Sequence, residues 1–199
     1  MSLVELLCPQ CGSGMPPRLG QSIHAGPSCG TSWEAVAGKG LLPVTRLLVK
    51  PRVAPPRNAR LVLVPVWCVA VHPEEMPGVP DRMADEIRVP ANGISRMPLL
   101  VEAARRLTRS SAPREDWLGL EPPVDPAEMD VETAFAVAEA VALRHVPGWP
   151  AEDEVESVRI ALGGARLADW PCAELRGEII ELVGGLAFSS SLTRNMGSR

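Results

Sequence analysis

Two short cysteine turns near the start of the chain, Cys8-Pro-Gln-Cys11-Gly12 and Cys29-Gly30-Thr-Ser-Trp33, constrain its folding more than any other stretch. A glycine just past a cysteine permits the tight backbone path that aims amides at sulfur and lets thiolates converge on one ion. Cys8 and Cys11 have the spacing of half a zinc site. A matching second turn would carry a cysteine at position 26, where this chain has Gly26. His24, five residues before Cys29, is the candidate fourth ligand if the Gly/Pro-rich stretch from Gly12 to Pro27 is a flexible loop. Cys68, His72, Cys172 or a residue from a partner are further candidates. The set Cys8, Cys11, Cys29 and His24 implies one structural Zn2+ ion as cofactor. Two other readings stand beside it. In one, a metal-free turn pair is held by Trp33 and leucines. In the other, Cys8 and Cys11 form a redox dithiol, which the following Gly12-Ser-Gly-Met-Pro-Pro17 disfavours because it cannot easily start the helix that would lower a thiol pKa.

The 199 residues are 46% hydrophobic, enough for a core in one large domain or two small ones. Five cysteines with a leading pair, no signal-like segment and no apolar run long enough to span a bilayer are expected of a cytoplasmic protein without a membrane span. Charge is segregated. Residues 1–60 carry a net +5, residues 61–109 balance, and residues 110–199 carry −9. Such asymmetry can steer two different partners or bring the two ends of the molecule together.

Along the chain, residues 1–36 read as a small module with a strand over Leu3–Leu7 and a return strand through Trp33–Val36. Too small to bury much apolar surface, it would draw on metal binding for its folding free energy. Residues 37–60 form a proline-rich basic connector or edge strand, with Val44–Lys50 as its strand-like part. Residues 61–188 form an α+β body, and 189–199 a polar flexible tail. Leu61–Val71 is the strongest strand, apolar throughout and rich in valine despite Pro65. Cys68 within it reads as an inert buried thiol, and His72 as a strand-end residue. Glu86–Pro90 is a second strand. Pro98–Arg109 has the pattern of an amphipathic helix, with Leu99, Leu100, Ala103 and Leu107 on one side. Asp125-Pro-Ala-Glu128 has the order of a helix cap, so a helix is expected from there to about His145. Val155–Leu162 reads as a strand. Pro171–Val183 reads as a helix, with Glu178–Val183 as an alternative strand. The acids of the C-terminal half read as a solvated face.

At Cys8–Gly12 and Cys29–Trp33 the sequence resembles the zinc ribbon, or rubredoxin-like knuckle, superfamily over about thirty residues. Leu61-Val-Leu-Val-Pro-Val-Trp67, Ile87-Arg-Val-Pro-Ala91 and the Pro98–Arg109 helix loosely resemble bacterial ribbon-containing proteins of unknown function. The resemblance implies a structural metal and a binding surface rather than one activity. The fold class expected is therefore α+β, a small zinc ribbon followed by a domain of short strands with two or three helices. No catalytic or cofactor-binding residues stand out, and no phosphate loop, paired-histidine helix motif or nucleophile elbow is present. The leading expectation is a non-enzymatic adaptor or assembly subunit of a bacterial intracellular complex, with a protein partner or larger assembly. A nucleic-acid-associated or transcription accessory factor using the basic N-terminal region is one alternative, and an enzyme of unrecognised type another.

Overall fold

The computed structural model describes residues 6–15, 21–72, 85–91, 97–109, 127–144 and 152–189. The architecture is α+β. Its strands are β1 (Leu6–Leu7), β2 (Gly14–Met15), β3 (Ile23–Ala25), β4 (Ser32–Val36), β5 (Gly40–Val44), β6 (Arg46–Leu48), β7 (Arg60–Val71), β8 (Glu86–Pro90), β9 (Leu162–Leu175), β10 (Glu178–Glu181) and β11 (Ala187–Ser189). Its helices are α1 (Met97–Arg109), α2 (Val131–Leu143) and α3 (Glu152–Ala161). The body sheet runs β11-β10-β9-β7-β8, with β6 parallel to β9; β3-β4-β5 form a second sheet and β1-β2 a two-stranded one. The strands expected over Leu61–Val71 and Glu86–Pro90 and the helix over Pro98–Arg109 are present with nearly the expected bounds. The cap at Asp125, the helix stop at His145 and the tail beyond Ser189 lie outside the described residues.

From Val62 to Val71 strand β7 is apolar at every position because both of its faces are buried there. Trp67, Val69 and Val71 join Ile87, Val89, Leu100, Ala134 and Val137 in the core beneath the helices. Val62, Val64, Val66 and Cys68 face a second core with Val49, Leu107, Trp170, Cys172 and Ile179. The Trp67 indole Nε1 donates to Met129 O at 2.9 Å, so this large side chain is buried without an orphaned donor.

Four expectations are corrected. Val155–Leu162 is not a strand; α3 occupies 152–161 and β9 begins at Leu162. The buried residues there are Val158 and Ala161, three apart, a helical spacing that the valines of an alternating strand can imitate. Pro171–Val183 is not a helix either. Strand β9 runs through Pro171, and β10 returns after a two-residue turn in which Arg176 (φ 50°) and Gly177 (φ 83°) are both left-handed. Pro171 is tolerated because of its position: Asp169 O accepts from Val49 N on the outer side of β9, and two residues on Pro171 O accepts from Leu182 N on that same side. The donor that proline lacks therefore falls in the gap between β6, paired up to Asp169, and β10, paired from Cys172.

Third, α2 starts at Val131, with Asp130 as its cap, Oδ1 accepting from Thr133 N at 2.7 Å, and residues 127–129, expected to be helical, are not. The backbone of 127–129 is engaged elsewhere: Ala127 O accepts from Ser22 N and Ile23 N, while Glu128 N and Met129 N donate to Ala91 O. Tertiary pairing outcompetes helix extension there. Within α1, Leu99 is exposed, and the buried positions are Leu100, Val101, Ala103, Ala104 and Leu107.

Fourth, the C-terminal acids are not uniformly solvated. Asp169 is held by Arg46 through two bonds of 2.7 Å, which tie β6 to β9. Glu181 is fully buried. Its Oε2 accepts from Trp170 Nε1 at 3.0 Å and Val183 N at 2.9 Å, and its Oε1 from Gly184 N at 2.7 Å. Arg88 Cζ lies over the face of that indole, 5.2 Å from the ring centroid. Glu181→Ala strands these donors in the interior and should destabilise the protein by about 3 kcal/mol. Urea unfolding followed by tryptophan fluorescence measures the loss; a change below about 0.5 kcal/mol would show that the carboxylate is not what organises the turn after β10.

Candidate metal centre

The cysteine turns form two knuckles with the same backbone bonding. In the first, Cys8 N donates to Ser13 O at 2.9 Å and Gly12 N to Cys8 O at 2.8 Å. In the second, Gly26 N donates to Thr31 O at 2.9 Å and Gly30 N to Gly26 O at 2.7 Å. The glycines that close the knuckles, Gly12 (φ 69°) and Gly30 (φ 73°), are both left-handed, the conformation for which glycine is suited. The side chains between the knuckles repeat the relation. Thr31 Oγ1 donates to Gln10 Oε1 at 2.6 Å, and Ser13 Oγ meets Ser28 Oγ at 2.8 Å. Residues 8–13, Cys-Pro-Gln-Cys-Gly-Ser, are thus matched by residues 26–31, Gly-Pro-Ser-Cys-Gly-Thr, eighteen positions on. This local repeat was legible in the sequence as a spaced pair of Pro-x-Cys-Gly turns, and the cysteine pattern alone hides half of it.

The structure brings together three of the four residues assigned from the sequence. The sulfurs of Cys8, Cys11 and Cys29 all lie within 4.8 Å of one another, and they could hold a metal ion. Cys8 Sγ and Cys29 Sγ are 3.6 Å apart, close to the edge of about 3.8 Å expected of a tetrahedron with metal–sulfur bonds of about 2.3 Å. Cys8 is buried, while Cys11 and Cys29 are partly exposed. Hydrogen bonds from Ser13, first its backbone and then its side chain, pull the Cys11 thiol down to about 6, with smaller help from Cys8 and Cys29.

His24 is not in that group. The stretch expected to be a loop contains β2 and β3, and His24 is buried in β3, opposite Trp33 in a regular ladder. Desolvation lowers its pKa and favours the neutral imidazole. Its Nδ1 is buried without a hydrogen-bond partner, as is the Trp33 indole Nε1 across the strand pair. The trio of convergent sulfurs is by itself a donor set that fits a soft or borderline metal.

The other candidates lie in the body. Cys68 and Cys172 are buried in its second core, where burial, more than the neighbouring Glu86, pushes the Cys68 thiol up; His72 closes β7, its N donating to Ala161 O. The knuckle region is joined to that body by contacts that the cysteine spacing does not announce. Ser22 Oγ donates to Glu128 O at 2.7 Å, and buried Glu34 Oε1 accepts from Val131 N at 2.8 Å, the first residue of α2. Ile23 enters the main core.

No protein-family model matches the chain, and neither a curated protein nor a solved structure matches it. No helix among the described residues is long and apolar enough to cross a membrane.

In the metal-free protein Cys11 should be the first of the five cysteines to react with iodoacetamide. Its thiolate is favoured above about 6 and is lost as the pH falls through that value, so its labelling rate should drop steeply between pH 7 and pH 5. Cys68 should remain unlabelled until the protein unfolds. Peptide mapping after timed labelling checks both, and equal rates at Cys11 and Cys68 would contradict the site geometry.

Proposed function

We propose that the chain is a non-enzymatic binding or assembly subunit whose N-terminal region is stapled by one structural zinc ion. The observation that carries the zinc reading is the pair of equivalent knuckles with Cys8, Cys11 and Cys29 converging between them. Thiolate ligands favour zinc among the abundant divalent ions over magnesium or calcium, which take oxygen. Its role in this reading is structural, because the ion ties β1-β2 to β3-β4, elements too short to be stable alone.

The subunit reading draws on the surface left beside this module. Between β6 and β7 the chain carries exposed Arg52, Val53 and Arg57 on a proline-broken segment, where Arg52 N and Val53 N donate to Leu182 O. Cationic, apolar and extended, this segment suits an acidic protein face. The same arginines favour nucleic acid as the second reading, which predicts binding that weakens steeply with salt.

Zinc content and native mass test the proposal together. We expect one zinc per chain, removed by a strong chelator with loss of amide protection over residues 21–44, and a native mass above the 21.3 kDa of a single chain, from self-association or a copurified partner. A fully protected chain without metal would sink the zinc reading, and a strictly monomeric mass would count against the subunit. Glu34→Ala should leave the zinc content unchanged while costing about 1–2 kcal/mol in thermal or urea unfolding, because it leaves Val131 N, a first-turn donor of α2, without its acceptor and touches no thiol.

A further inference from the structure

The fourth corner of the metal centre is defined by what Gly26 lacks. In the repeat of the two knuckles proline answers proline, cysteine cysteine, glycine glycine and threonine serine, the polar Gln10 is answered by the polar Ser28, and Cys8 is answered by Gly26. Position 26 has the backbone bonds of a ligand position. A Cβ built on Gly26 would sit 2.6 Å from Cys8 Sγ and 2.7 Å from Cys29 Sγ, so position 26 faces the sulfurs directly and a side chain there fits only if those two sulfurs shift. The glycine is not demanded by the backbone either, because Gly26 is absent from the left-handed positions at which Gly12 and Gly30 stand. Its consequence is chemical: the chain supplies the knuckle and omits one methylene and one sulfur.

A zinc ion bound by three thiolates takes a fourth ligand. Among the described residues no further Cys, His, Asp or Glu belongs to the group. His24 is held two residues away by the β3-β4 ladder, in which Ile23, His24 and Ala25 pair with Glu34, Trp33 and Ser32. The adjoining residues Ser22 and Ile23 are bonded to the body at Ala127 and Glu128, which holds that strand in place. Cys11 and Cys29, by contrast, leave the centre partly open to solvent.

We infer that the metal centre is coordinatively open at the Gly26 corner and that an external alkyl thiolate, free or on a partner's cysteine, completes a four-sulfur site there. The inference rests on the zinc reading above. The incoming thiol binds through sulfur, its proton passes to solvent, and no oxidant or reductant is consumed. The excess of five positive charges over residues 1–60 favours the additional negative ligand.

The full-length protein loaded with cobalt(II), a spectroscopic substitute for zinc, tests this. The expected spectrum is that of three thiolates. Titration with 2-mercaptoethanol should add sulfur-to-metal charge-transfer intensity that saturates at one thiol per metal, while His24→Ala leaves the spectrum and the titration unchanged. A cysteine-containing peptide titrated in parallel separates the two sources: a response to both thiols admits a partner's cysteine, and a response to the small thiol alone assigns the corner to free thiols. Gly26→Cys, where it folds, should show the four-sulfur spectrum with no added thiol and bind zinc at least about tenfold more tightly. An unresponsive wild type whose spectrum loses a nitrogen ligand in His24→Ala would overturn the inference in favour of a closed three-cysteine, one-histidine site and leave the zinc reading standing. Failure to take up either metal would overturn both.

Discussion

The long antiparallel pairing of β7 with β9 is the constraint on which the rest of the molecule depends. It runs from Arg60 opposite Glu174 to Val71 opposite Leu162 with one irregularity near its end. Because β7 is buried on both faces, it divides the interior into two cores, and each remaining element of the body is placed by which core it closes. Helices α1, α2 and α3 cover the side of Trp67, Val69 and Val71; β10 and the turn after it close the side of Trp170 and Cys172. Polar groups caught between are paired rather than solvated. Glu181 gathers indole and backbone donors, and Arg88 is stacked on Trp170 while its Nη1 donates to Leu107 O. Burial of this kind costs more than it returns unless nearly every donor and acceptor is satisfied, which makes the turn after β10 as fixed as the strands it joins.

The N-terminal region depends on that frame from the other direction. Its strands are two to five residues long, too short to stand on their own hydrogen bonds. Two kinds of contact compensate. One is local, the knuckle pair with its converging thiols. The other is tertiary: Ile23 in the main core, Ser22 on Glu128, and Glu34 on the first residue of α2. The hairpin β3-β4 carries both, with the second knuckle at its tip and the body contacts at its base. Ligand geometry and body packing are therefore linked through a few residues of one hairpin.

Much of the fold was legible where a local pattern has a single physical reading. The apolar run of β7, the Val-Pro end of β8 and the proline-started, basic-ended α1 were placed correctly because strand burial and helix dipole leave few alternatives. Legibility failed where two periodicities agree over a short span. Val155 and Val158 fit a helix, while Val158, Ile160 and Leu162 also alternate as a strand does, and packing of Val158 and Ala161 resolved the choice. It failed again where tertiary partners outbid a local signal, as at residues 127–129, whose backbone bonds to Ala91, Ser22 and Ile23 displaced the helix start to Asp130. The helix expected over Pro171–Val183 gave way to β9 and β10, the latter within the alternative strand over Glu178–Val183, and β9 accommodates Pro171 because its missing donor faces a gap between two neighbours. Glu181 carried no local sign of burial at all.

By itself the sequence determined the chemistry available: three thiols in two glycine-closed turns, a glycine where a fourth would stand, and apolar runs long enough for a buried sheet. These follow from residue type and spacing, which act over a few positions and survive any fold. Only the tertiary structure decided that the turns face each other, that position 26 points at the sulfurs, that His24 is fixed in a strand outside the thiol group, and that the hairpin bearing them is bonded to the start of α2. Those are contacts between residues far apart in the chain, set by which surfaces the two cores left available, and no local spacing encodes them.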